Sequence, residues 1–230
     1  MLIGGLQKFS MIDYPGKLSA IIFTKGCNFR CGYCHNPELA DFKCNARGLV
    51  SEEEVLGFLK NRKSKLDAVT VTGGEPTLQP DLIDFLRKIK KIGFLIKLDS
   101  NGSNPDILEK VIKEGLADYI AMDIKAPLER YKDVVNFSVD PERIKRSIDL
   151  IKRSGVDYEF RTTVVKSQLS EDDFEKIGNL IKGSRLYALQ KFIPTKTVDP
   201  DFLKKETYSD EEFEKMKGIM ENFVESCIIR

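Results

Sequence analysis

The sequence predicts an α/β fold built on a parallel sheet. Three observations lead there: short apolar β-type runs recur along the chain, helical patterns with readable ends separate them, and the runs are nearly continuous in apolar residues, as in strands buried on both faces. The runs fall at residues 20–24, 68–72, 94–99, 119–123, 159–165 and 186–192. Between them, Leu82, Phe85, Leu86 and Ile89 repeat at i, i+3, i+4 and i+7, and Leu108, Val111 and Ile112 repeat the pattern in shorter form. Each such helix has one apolar face to lay on a sheet. Ser51 with Glu54 and Ser209 with Glu212 have capping-box spacing, and Asn104-Pro105 and Asp140-Pro141 place a capping residue before a proline at the first helical position. Gly93, Gly115, Gly155 and Gly183 follow the helices as stops. Alternating β and α units imply right-handed crossovers, and six of them are too few for a closed eight-unit barrel.

A chain of 230 residues is long enough to bury a sizeable core, and a single domain over 1–230 is expected. A net charge of +1 with interspersed Lys and Glu gives no one-sided basic field, which argues against nucleic acid or an anionic membrane as a partner. No 18-residue apolar span and no signal-like N-terminal block is present, so a cytoplasmic protein is expected. Charged residues make up 32% and Trp is absent, a balance that leans towards a thermophile.

Three of the five cysteines, Cys27, Cys31 and Cys34, share the loop TKGCNFRCGYCHNP directly after the first apolar run, in a C-x3-C-x2-C spacing. That usage fits metal binding in a reducing compartment better than a disulfide framework. A disulfide leaves one of three thiols over, a structural zinc wants four ligands, and an iron–sulfur cluster is held by thiolates. A four-iron cluster held at three corners keeps one iron open to a small molecule. Zinc stays open as a reading, with Cys44 or His35 as a fourth ligand, and so does a set of buried thiols. Cys227, near the C-terminal end of the last helix, reads as an apolar packing residue.

With Tyr33 before its last cysteine, this spacing resembles the signature of the radical S-adenosylmethionine (SAM) superfamily. The wider run SMIDYPGKLSAIIFTKGCNFRCGYCHNPEL resembles more narrowly the activating proteins of anaerobic ribonucleotide reductase and the pyruvate formate-lyase activases, and the likeness extends to about residue 195. The resemblance implies a partial, open (β/α)6 barrel of the radical SAM type, which matches the six units. It implies a [4Fe–4S] cluster on Cys27, Cys31 and Cys34, with SAM on the open iron and a 5′-deoxyadenosyl radical as product. Abstraction of hydrogen from a glycine of a glycyl-radical enzyme would follow, with an electron donor such as flavodoxin or ferredoxin. No second cysteine cluster follows Cys34, in contrast to larger activases with an inserted ferredoxin-like domain.

The later landmarks fall at strand ends, where barrels of this kind keep their chemistry. Gly73 and Gly74 let backbone approach a ligand closely, and Gly73, Gly74 and Glu75 match the family segment that holds the amino group of SAM. Asp99 and Ser100 of DSNG, with Asp123 and Lys125 of DIK, match the activase positions near the SAM carboxylate, where a monovalent cation is implied. Taken alone, Asp99, Asp123 and Lys125 read equally well as an ion-pair network. Arg161 suits SAM's ribose or carboxylate, or ordinary hydrogen bonds at a strand end. Tyr33 suits packing on the adenine or the cluster, Val164 or Val165 the adenine side or the core, and His35 a place near the cofactor. The stretches 126–139 and 194–208 are expected to rim a lateral opening that admits a protein loop. Two other readings stand beside the activase: a radical SAM enzyme of a small molecule, such as a 7-carboxy-7-deazaguanine synthase, and a zinc-stabilised binding module using Cys27, Cys31, Cys34 and Cys44.

Overall fold

The computed structural model describes residues 1–42 and 48–230; Cys44 lies outside them. Its framework is an eight-stranded sheet whose spatial order follows the chain. The strands are β1 (Ile3–Ser10), β2 (Ser19–Thr24), β3 (Ala68–Gly73), β4 (Leu95–Ser100), β5 (Tyr119–Asp123), β6 (Asp157–Val164), β7 (Tyr187–Lys191) and β8 (Cys227–Ile229). From β2 to β8 all neighbours are parallel, and β1 pairs antiparallel with β2. The two outermost strands, β1 and β8, are not paired with each other, so the sheet is open.

β2 to β7 are the six expected strands, each within a residue or two of its expected ends. Two strands differ from expectation. β1 carries Gly4, Gly5, Gln7 and Lys8, a sequence with little β signal, and it is held by pairing to β2 and by one bridge from Ile3 to Val50. Cys227 belongs to β8 rather than to the last helix, which ends at Met220; its register partner is Tyr187. The packing role expected for it holds, since it is 3% exposed and part of the core.

The helices are α1 (Pro37–Ala40), α2 (Glu52–Arg62), α3 (Leu82–Ile92), α4 (Pro105–Lys113), α5 (Tyr131–Val135), α6 (Pro141–Arg153), α7 (Glu171–Leu180) and α8 (Asp210–Met220). Ser209 and Glu212 make the complete capping box on α8, as Ser170 and Asp173 do on α7. Ser51 makes its half of the α2 box by accepting from the Glu54 N–H. Asn104 does not cap α4, because its side-chain amide donates to the Thr77 carbonyl at 2.8 Å instead. α3 ends where Gly93, at φ +99°, turns its N–H back to Ile89 and Lys90.

The strands are not apolar on both faces. Ile96 and Leu98, Ile120 and Met122, and Phe160 and Val164 join the core that contains Leu82, Phe85, Leu86 and Ile89 of α3. The alternate residues, which point to the other face, are Lys97 and Asp99, Tyr119, Ala121 and Asp123, and Glu159 and Arg161. That face is polar, yet most of it is buried. A register shift of one residue would exchange the two faces, so the pattern fixes which face carries the charges.

Candidate active site

One cavity of about 340 Å³ opens at the C-terminal ends of the parallel strands. Cys27, Cys31 and Cys34 line it together with Tyr33, Gly73, Gly74, Glu75, Asp99, Ser100, Asp123, Lys125 and Arg161, so every expected site residue meets in one place. Val164 and Val165 are instead fully buried in the core.

The cysteine loop is held by backbone bonds on both sides. Gly26 N–H donates to the Leu39 carbonyl at 2.7 Å, Cys27 N–H to Ala40 at 3.2 Å and Arg30 N–H to Val135 at 2.7 Å. The three thiols are free; Cys31 is buried, and Cys27 and Cys34 are half-buried. Burial, with Glu75 nearby, pushes the Cys27 thiol up to about 12, and burial raises Cys31 also. Such thiols become thiolates once a metal displaces the proton. Cys27 Sγ also accepts from the Phe29 N–H at 3.3 Å and from the Asn101 side chain at 3.8 Å, donors that suit a cluster thiolate. Among the described residues, no group of three or more His, Cys, Asp or Glu gathers around a single-ion position. Three thiols in one loop are the donor type that holds an iron–sulfur cluster.

The close approach of the cysteine loop calls for glycine at Gly73 and Gly74 whether or not a ligand is bound. A Cβ on Gly73 would lie 2.5 Å from the backbone N and O of Thr24, and one on Gly74 would lie 2.2 Å from the carbonyl O of Gly26. Gly73, at φ +114°, also adopts a backbone that other residues rarely take. Gly74 N–H donates to Thr24 at 2.9 Å and Glu75 N–H to Gly26 at 2.8 Å, so the segment is stapled to the cysteine loop. The Glu75 carboxylate is 1% exposed and accepts from Thr77, Ser100 and the Asn101 N–H. Burial pushes its pKa up against those donors.

Asp99 and Asp123 form a buried ion-pair network with three basic side chains. Asp99 meets Lys97 at 2.6 Å and Arg161 at 3.0 Å, and Asp123 meets Lys125 at 2.9 Å and the Arg161 Nε. All four carboxylate oxygens thus face a cation. Three basic groups against two carboxylates leave one positive charge over within this network, which suits an anionic ligand. Burial alone would raise both carboxyls, but Arg161, with Lys97 at Asp99 and Lys125 at Asp123, holds them below their usual range. The Tyr131 hydroxyl fixes the corner, accepting from the Lys125 N–H at 3.2 Å and donating to the Asp123 carbonyl at 3.4 Å.

A depressed folded pKa adds stability above the unfolded value and loses it as pH falls through the folded one. Folding stability is therefore expected to hold above about pH 4, where unfolded Asp titrates, and to fall steadily below it. Asp123→Asn leaves Arg161 and Lys125 short of a counter-charge and is expected to cost about 3–5 kcal/mol in urea unfolding at pH 7. A cost under about 0.5 kcal/mol, as for an exposed site, would count against the network.

Lys125 Nζ also lies 5.7 Å from the Tyr33 ring centre, and Tyr33 packs against Phe202 on its other contact. His35 does not reach into the charged network: its Nε2 donates to the Ile193 carbonyl at 2.7 Å and its ring stacks on Phe192, tying the loop to the end of β7. The segment after β7 also contacts the loop through the Asp199 N–H, which donates to Gly32 at 3.0 Å. Lys97, Asn101 and Tyr131 were not among the expected site residues. Lys97 carried a usable signal, since it lies two positions before Asp99 and shares its strand face.

The model of the radical SAM superfamily matches residues 21–181. The chain belongs to that superfamily and is an enzyme of its kind, for which a [4Fe–4S] cluster and SAM are implied. Over 100% of its length it is 39% identical to a Methanocaldococcus jannaschii protein that bears the provisional name glycyl-radical enzyme activating enzyme, covering 95% of that protein. It is 28% identical to the pyruvate formate-lyase-activating enzyme of Clostridium pasteurianum, over 85% of this chain and 82% of that one. Among solved structures, a domain of a pyruvate-formate lyase-activating enzyme from Bacteroides vulgatus superposes with a TM-score of 0.58 at 18% identity, covering 71% of this chain and 99% of that domain. That likeness concerns the fold. Among the described residues no helix is long and apolar enough to cross a membrane.

Proposed function

We propose that this protein activates a glycyl-radical enzyme, and that its partner is anaerobic ribonucleotide reductase. The observation that carries the reading is the meeting of three free thiols, the Gly73-Gly74-Glu75 segment and a charged network with a surplus cation in one cavity, in a chain similar over its full length to a provisionally named activating enzyme. The likeness of SMIDYPGKLSAIIFTKGCNFRCGYCHNPEL to the reductase activators supports the choice of partner.

A cluster held there would supply the electron for reductive cleavage of SAM, the chemistry by which hydrogen would be taken from the partner's glycine. The chain's own residues bind and orient. Cys27, Cys31 and Cys34 hold the cluster. Lys125 and Arg161 draw in the SAM carboxylate, and Tyr33 and the segment after β7 exclude water beside it. A monovalent cation at Asp99 and Asp123 would compete with Lys97, Arg161 and Lys125 for the same oxygens. In this reading a protein loop enters laterally between β1 and β8, which are not paired with each other, and 126–139 and 194–208 rim that opening. Flavodoxin or ferredoxin is the donor in this reading, and the cytoplasm is the compartment.

The test is anaerobic incubation of reconstituted protein with SAM, a reductant and the reductase, followed by electron paramagnetic resonance. A persistent glycyl radical on the reductase is the expected result. SAM consumed with a deazaguanine precursor and no radical on any protein would replace the activase with a small-molecule enzyme. Lys125→Met is expected to weaken SAM binding about 10- to 100-fold, as loss of a charge-assisted hydrogen bond does. A fall in melting temperature with unchanged SAM affinity would leave Lys125 as a structural ion pair.

A further inference from the structure

Asn101 joins the three loops around the cavity, and one of its contacts reaches a sulfur. It directly follows β4 and is 5% exposed. Its backbone N–H donates to Glu75 Oε2 at 2.6 Å, and its side-chain Oδ1 accepts from the Ser103 N–H at 2.9 Å. Its side-chain amide donates to Asn28 Oδ1 at 2.9 Å and to Cys27 Sγ at 3.8 Å. Asn28 is itself oriented by donating to Ser103 Oγ at 3.0 Å. Turning the Asn101 amide over would set two amide oxygens against each other and lose the Ser103 bond. The N–H is therefore aimed at the sulfur by its surroundings.

Cys27 is thus an unequal corner. It has two N–H donors, and the one from Phe29 is backbone, which substitution leaves in place. Among the described residues no side-chain amide donates to Cys31 or Cys34. An electron added to a cluster resides partly on the ligand sulfurs, and an N–H dipole pointing at one of them favours the more negative state. Hydrogen bonds to sulfur are accordingly one of the levers that set cluster potentials.

We propose that Asn101 is a positioning residue of the iron–sulfur site, whose amide acts through Cys27 to raise the reduction potential of the cluster that the cysteine loop holds. The inference rests on the reading of the three thiols as cluster ligands. It adds a residue whose effect is redox tuning rather than ligation.

The experiment is a redox titration of the reconstituted protein without SAM, following the resonance signal of the reduced cluster, in the parent and in Asn101→Leu. At full iron and sulfide content, Asn101→Leu is expected to lower the reduced-to-oxidised ratio about tenfold at a fixed poise, which is about 59 mV more negative for a one-electron couple. With SAM added, 5′-deoxyadenosine formation driven by dithionite should slow and then recover with titanium(III) citrate, a stronger reductant. A purely structural role would not produce recovery that depends on the reductant. Asn101→Leu with a full cluster and the parent's potential overturns the proposal. If Asn101→Leu assembles no cluster, Asn28→Ala decides, because it removes the acceptor that orients the amide while Asn101 and Cys27 remain. A shift in the same direction supports the proposal, and the parent's potential overturns it. A parent protein that takes up no iron and sulfide would remove the cluster reading itself, a failure distinct from an intact cluster whose potential does not move.

Discussion

Alanine at any one of Cys27, Cys31 or Cys34 is expected to reduce SAM cleavage to background. A cluster held at three corners has no ligand to spare. Iron and sulfide per chain should fall with the activity, so the loss is read at the metal as well as in the product. Cys227→Ala is the control. Its thiol is buried in the core at the start of β8, away from the cavity lining, and it should retain cleavage while melting a few degrees lower, as a loss of about 1 kcal/mol of packing would give. Cys44→Ala separates the cluster from a four-ligand zinc site: cleavage and iron should survive it. Retained cleavage in all three cluster variants would remove the assignment, and loss of metal in Cys44→Ala would favour zinc.

The six central strands were legible because each carries an apolar face towards the helices and several of the helices between them announce their ends. Ser209 with Glu212 and Gly93 behaved as their spacing suggested. The edges were not legible. β1 gains its order from pairing with β2, and β8 is only three residues long, so neither leaves a periodic pattern. The sequence also carried the residues of the cavity, because the family motifs fall at strand ends. What it could not carry was which group each residue touches. Lys97 is buried at 3% exposure through its ion pair with Asp99, and a lysine in a strand has no local mark of such a partner. His35 lines the cavity as its neighbour Cys34 suggests, but the sequence carries no mark that its ring is held by Ile193 and Phe192, more than 150 positions away. The burial of a polar face on the sheet is a tertiary fact of the same sort.

Gly74 lines the cavity, but the structure gives glycine there a packing reason distinct from ligand access, and the difference is measurable. Backbone access for a ligand would make Gly74→Val weaken SAM binding with the cluster intact. The structure predicts a larger failure. A Cβ on Gly74 would lie 2.2 Å from the Gly26 carbonyl O, 2.7 Å from its carbonyl C and 2.9 Å from the Leu39 O. All three are backbone atoms that cannot rotate away, and two belong to the residue just before Cys27. Ordinary contact would require the loop to recede by about 1 Å, which stretches the Glu75 N–H bond to Gly26 and moves the first cluster ligand. Overpacking of this kind costs about 1–3 kcal/mol, more where branching adds a second clash. Gly74→Val is therefore expected to lose iron and sulfide together with SAM cleavage, and to melt at a lower temperature, while Gly74→Ala lies between it and the parent on each measure. If Gly74→Val binds a full cluster, keeps the parent's melting temperature and loses only SAM affinity, the Cβ direction faces the ligand and the staple between the two loops is not what requires glycine.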